Sequence, residues 1–250
     1  MMRFPALLSL KLGKARITES LPGARPTLLV DFVDAREVLH RGSAHPISHE
    51  RIRGLLGSPA PVVWIGGSEP LEHPGIAHLV RAIIGSGRFV FLETCGKLLR
   101  RRIHEFQPVP QLFLVVSSGG PLLSLEAGIG NPGAFELALE GIRAARLSGF
   151  LTAIHSPVRE DSDLSRLRVL SRILSAADVD GWTITAATTG DFAAQKAREV
   201  RNLIPNAQWR WLSVHLEREL LSGLKTGEVH RSPGKEAHLA QASEQGVRIA

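Results

Sequence analysis

Val62-Val63-Trp64-Ile65-Gly66-Gly67-Ser68-Glu69-Pro70-Leu71-Glu72-His73-Pro74 is the stretch on which the fold turns. Four consecutive apolar residues read as a strand buried on both faces. A Gly-Gly turn follows at once, then a carboxylate between polar and proline residues, and a helix-period run begins after Pro74. This is the strand–loop–helix step of an α/β protein, with polar residues placed where the strand ends. In such folds ligands gather at the carboxyl ends of parallel strands.

Outward from that step the pattern repeats. Strands are predicted at 27–33, 62–65, 88–93, 112–116, 150–154 and 181–186. The alternating run Gln208-Trp209-Arg210-Trp211-Leu212-Ser213-Val214 reads as a seventh, edge-like strand. Helices are predicted at 48–56, 76–84, 97–106, 134–147, 161–177 and 191–203, with a short helix after His215. Pro- and Gly-rich turns such as Ser58-Pro59-Ala60-Pro61 and Gly85-Ser86-Gly87 punctuate them. Six βα units in succession imply a parallel sheet with right-handed crossovers. The expected fold is an α/β partial (βα)6 TIM-like barrel over 27–215. An irregular, basic lead-in (1–26) precedes it and a polar tail (216–250) follows. A doubly wound sheet ranks second, and its dinucleotide-binding form loses support because no Gly-x-Gly-x-x-Gly opens the first helix.

Composition narrows the function classes. The chain has 250 residues, 44% hydrophobic and 22% charged, as expected of one globular domain. No apolar run approaches the roughly 18 residues of a membrane span. The Phe4–Leu10 run, broken by Pro5, is too short for a secretory signal, so a cytoplasmic protein without a membrane partner is the default expectation. The net charge of +6 is spread along the chain and mixed with acids, which disfavours nucleic acid as a partner. Its tightest cluster, Lys97 with Arg100, Arg101 and Arg102, reads as a solvated helix face. The single cysteine, Cys95, forms no intrachain disulfide and reads as a small buried hydrophobe.

The run Trp64–Pro74 resembles the Gly-Gly-Glu-Pro-Leu-x-His-Pro segment of the radical S-adenosylmethionine (SAM) superfamily. Further similarities follow in order. Phe89–Gly96 is similar to that family's third strand, Leu114–Pro121 to its fourth, and Gly133–Ile154 to its fourth helix and fifth strand. The resemblance covers roughly residues 27–190. It implies a partial barrel with a site across the strand ends and SAM as its ligand. Gly66, Gly67, Ser68 and Glu69 would meet the methionine moiety, with Glu69 taking the ammonium, and Ser117 would meet the ribose. Ser68 either stands where the family has its second glycine or is one extra residue in the turn, and a side chain there is expected to narrow the pocket.

The departure from the family lies in the loop at 34–49. There the family carries three cysteines that hold a [4Fe-4S] cluster, and this chain has none. No such cluster is therefore expected, and no metal site is assigned. His40, His45 and His49 in that loop read as solvated residues. The leading expectation is a pseudoenzyme that binds a small ligand such as SAM, or that acts as the protein partner of an active homologue. A second is an enzyme running non-radical polar chemistry at the barrel mouth from Glu69, Glu93, Ser117 and His155. A third is a structural or interaction module without a ligand. Gly66-x-Ser68-x-Pro70 is no hydrolase elbow, because that turn needs glycine where Pro70 stands. Catalytic residues remain unassigned.

Overall fold

The computed structural model describes residues 2–19, 28–35, 49–119 and 132–226. The chain opens with helix α1 (Ala6–Glu19), then strand β1 (Val30–Asp34), α2 (His49–Gly57) and β2 (Val62–Gly66). A 3-10 turn at Pro70–Glu72 leads into α3 (Ile76–Gly85) and β3 (Phe89–Thr94). Next come α4 (Leu99–Arg102) with a 3-10 turn at Ile103–Glu105, β4 (Leu112–Ser117), α5 (Pro132–Leu147) and β5 (Leu151–Val158). The described chain ends with α6 (Leu164–Ala176), β6 (Gly181–Ala186), α7 (Asp191–Arg201) and α8 (Ala207–Thr226).

All five strand pairs are parallel, and the strands lie in sequence order from β1 to β6. Each crossover thus steps the same way across the sheet. Right-handed crossovers that never reverse direction place the connecting helices on one face and curl the sheet into a half-barrel. That topology explains why the strands are apolar on both faces. Val63, Ile65, Val90, Leu92, Leu114, Val116, Ile154 and Ile184 are fully buried on the helix side.

On the concave side an aromatic row crosses four strands, because Phe32, Trp64, Phe91 and Phe113 stand in register. Ring centroids are 6.3 Å apart for Phe32–Trp64, 5.2 Å for Trp64–Phe91 and 4.5 Å for Phe91–Phe113. The last two pairs are stacked.

The amino-terminal end of the half-barrel is closed by α1 and α8. Trp209 of α8 stands edge-on to Phe113 at 5.6 Å and to Phe91 at 6.2 Å. Phe4, just before α1, packs edge-on against Trp209 at 5.0 Å. Gly181 opens β6 beneath this ring, and a Cβ there would lie 2.2 Å from Trp209. Only glycine fits so close an approach. Leu8 and Leu12 of α1 are buried in the same core.

Two expectations need correction. Within the lead-in, Ala6–Glu19 is helical rather than irregular. Residues 208–214 belong to α8 and not to a seventh strand. The buried side chains are Trp209, Leu212, Ser213 and Leu216, which is a helical spacing. Smaller differences follow local chemistry. The predicted helix over 97–106 is one α turn followed by a 3-10 turn. Asp191 is the first residue of α7, whose cap is Gly190, whereas Asp163 does cap α6 by accepting from Ser165 N at 2.8 Å. β5 runs on through His155-Ser156-Pro157. Its register with β4 ends at Ser117↔His155 while that with β6 continues to Val158↔Ala186, so Pro157 lies where the strand is an edge on one side.

Candidate functional site

The carboxyl ends of the strands carry the polar residues. Along a strand successive side chains alternate between faces, so Trp64 and Gly66 of β2, Phe91 and Glu93 of β3, and Ser117 of β4 share the concave face. His155 pairs in register with Ser117, and Thr185 lies on β6 at the same end of the sheet. The structure thus brings Glu93, Ser117 and His155 together and adds Trp64 and Thr185.

Glu93 is the hub. Trp64 Nε1 donates to its Oε2 at 2.7 Å, and His155 Nδ1 lies 2.7 Å from its Oε1. The Ser117 hydroxyl also bonds this carboxylate. On the far side of the imidazole, His155 Nε2 lies 2.9 Å from Thr185 Oγ1. The indole edge of Trp64 stands against the His155 ring at 5.2 Å. Burial pushes the Glu93 carboxyl up. The neighbouring imidazole and the hydrogen bonds from His155, Trp64 and Ser117 together outweigh it and hold the group below the usual carboxylate range. Glu93 is therefore a carboxylate at neutral pH. An ionised acceptor at Oε1 requires the proton of the imidazole on Nδ1, which leaves Nε2 directed at Thr185.

The Gly-Gly loop is organised by a second set of carboxylates. Gly67 has φ +77°, and a Cβ there would lie 2.6 Å from Asp34 Oδ2. Asp34 ends β1 and accepts from Ser68 Oγ at 2.8 Å and from Ser68 N at 3.4 Å. The Ser68 side chain therefore turns to β1. Glu69 caps the following 3-10 turn by accepting from Leu71 N at 3.1 Å. It also accepts from Thr94 Oγ1 and from Cys95 N, both at 2.7 Å, and it bonds the Cys95 thiol. Glu69 thus ties the β2 loop to the β3 loop.

Cys95 is half-buried. Burial, with the Glu69 carboxylate beside it, pushes its thiol up to about 11, so it is an unreactive thiol at neutral pH. Ser118, next to Ser117, points to the other face. It is buried and donates to Ser156 Oγ at 2.7 Å, which also accepts from Trp182 Nε1 at 2.9 Å.

His40 and His45 lie outside the described residues, as does most of the loop at 34–49. Among the described residues no three His, Cys, Asp or Glu side chains are grouped to hold a metal ion. No helix among them is long and apolar enough to cross a membrane. Asp34, Trp64 and Thr185 are the site residues that sequence reasoning missed. Each lies at or near the end of a strand on the concave side, which was the available signal.

No protein-family model matches the chain, and no curated protein matches it. Among solved structures the chain is similar to one described as the crystal structure of archaeal TYW1. The identity is 14% and the TM-score 0.43, over 81% of this chain and 63% of that one. The chain therefore spans less than two thirds of that protein's length.

Proposed function

We propose that the strand-end mouth binds a small ligand, with SAM the first candidate, and that the protein does so without cluster-dependent chemistry. The observation that carries this reading is the convergence of Glu93, Ser117 and His155 at the carboxyl ends of three parallel strands, beside the Gly66-Gly67 turn. Ligand sites of α/β folds occupy this position. The ordered similarity of Trp64–Pro74 and the following strands to the radical SAM superfamily supports SAM as the compound to test.

In this reading the polar end of the ligand meets the concave face. Gly66 carries no side chain, Ser117 is half-buried, and Glu93 presents a carboxylate. SAM supplies an electrophilic carbon attached to a sulfonium; the residues named here hold and orient it. A [4Fe-4S] cluster does not fit. It needs several thiolates, and the sequence has one cysteine, whose thiol is kept protonated against Glu69. In this reading the protein is a pseudoenzyme, acting as a ligand sensor or as the partner of an active homologue.

Titration calorimetry with SAM tests the proposal. Saturable heat with one site per chain is expected, and the absence of heat and of thermal stabilisation at millimolar SAM overturns it.

A second reading, acid–base chemistry on the ligand, is favoured by the His155 bridge between Glu93 and Thr185. Following bound SAM by NMR separates the two, since a binding protein returns it unchanged and an enzyme converts it.

A further inference from the structure

Of the carboxylates at the mouth, Asp34, Glu69 and Glu93, the last two differ in how many acceptor positions are filled. A carboxylate has about four. Those of Glu69 are taken by Leu71 N, Thr94 Oγ1, Cys95 N and the Cys95 thiol. An incoming ammonium at Glu69 would have to displace one of them. At Glu93 the donors among the described residues are Trp64 Nε1, His155 Nδ1 and the Ser117 hydroxyl, which leaves one position among them. Trp64 and Ser117 bring no charge, and His155 brings one only when protonated.

The side chain of Glu93 is 17% exposed, against 7% for His155, so the carboxylate is the more accessible end of the pair. Gly66 lies alongside. A Cβ there would stand 3.0 Å from Glu93 Oε2, so any larger residue would press on the carboxylate and narrow its approach.

We propose that Glu93, and not Glu69, takes the positive charge of the ligand at this mouth, so that the site selects a small organic cation over its neutral isostere. The proposal rests on the mouth being a ligand site and names the charge class and the selecting residue. The hydrogen-bonded frame of Trp64, Ser117 and His155 holds the carboxylate in one place, which keeps the ordering cost of binding small. A charge-assisted bond to a half-buried carboxylate is stronger than one to a neutral acceptor.

The test uses the full chain and probes that do not presuppose SAM. The chloride of tert-butylammonium, which carries N–H donors, is titrated against tert-butyl alcohol, a neutral donor of similar shape, with sodium chloride as the ionic-strength control. The reporter is the Trp64 Nε1–H resonance, identified with Trp64→Phe, because that proton is bonded to Glu93. A saturable shift at millimolar tert-butylammonium is expected, without one for the alcohol or the sodium salt. Glu93→Gln should weaken the apparent affinity at least tenfold, while Glu199→Gln, a change at an exposed carboxylate on α7, alters it less than threefold.

Equal shifts with cation and alcohol, or an unchanged affinity in Glu93→Gln, overturn the proposal. If Glu93→Gln does not fold, the comparison of cation with alcohol on the unaltered protein still decides. Saturable cation binding with no response to SAM leaves Glu93 as the selecting residue and removes SAM. SAM binding with no cation response removes Glu93 and leaves the ligand reading standing.

Discussion

Glu69 and Glu93 bear the same functional group at the ends of neighbouring strands, and their donors separate their roles. Glu69 is held by its own loop and by β3, and Glu93 by side chains from β2, β4 and β5. The second arrangement has a pH signature. The folded-state pKa of Glu93 lies below its ordinary value of about 4.3, so the unfolded chain binds this proton more readily than the folded one. The stabilisation is then fully present above about pH 4.3 and is lost as the pH falls toward the folded-state value. Urea midpoints measured on the acid side of pH 5 should fall more steeply for the native protein than for Glu93→Gln. Parallel curves would show that the carboxylate is not held as described. Which acid does which work was not legible in the sequence. That Glu93, Ser117 and His155 sit near strand ends followed from hydrophobic runs and their punctuation. That His155 faces Glu93 depends on the register of β3, β4 and β5, which no local pattern encodes.

At the scale of the element, the informative misreading is 208–214. Trp209 and Trp211 alternate with polar residues, and over seven residues that is the period of a strand. Over the longer span the buried positions Trp209, Leu212, Ser213 and Leu216 follow the helical period. The place expected for a seventh strand does exist, because β6 is a sheet edge. Helix α8 occupies it and supplies acceptors by side chain. Ser213 Oγ accepts from Ile184 N at 3.1 Å, and the Glu217 carboxylate accepts from Ala186 N. Arg201 of α7 donates to Ile184 O at 2.9 Å. These alternate backbone groups are the ones that a seventh strand would have paired. Ser213 is fully buried and also donates to Trp209 O at 2.8 Å. Ser213→Ala should leave the Ile184 N–H buried without a partner and cost about 1–3 kcal/mol in chemical denaturation. A loss below a few tenths of a kcal/mol would mean that the edge is satisfied in another way.

Across the whole molecule the half-barrel is a sheet with two edges and two open ends, and α8 covers more than one of these. It packs on β6 and reaches β1, and its Trp209 fills the amino-terminal end under Phe91 and Phe113. The opposite end carries Glu93, Ser117 and His155. The closed end and the polar end are therefore linked by one aromatic row, in which Trp64 stacks on Phe91 and donates to Glu93. The energetic weight of the closure can be bounded. Trp209, Leu212 and Leu216 are fully buried, and each such side chain contributes about 1.5–3 kcal/mol by burial. Three of them approach the 5–15 kcal/mol net stability of a typical domain. A chain ended at Asn206 would lose that burial and expose the backbone of β6 as an unpaired edge, which templates pairing with other chains. Such a chain is expected to elute as oligomers in size-exclusion chromatography and to unfold without a cooperative transition. A monomer that unfolds cooperatively would show that β1 to β6 close without α8, and the amino-terminal helix would then have to carry the closure through Leu8 and Leu12.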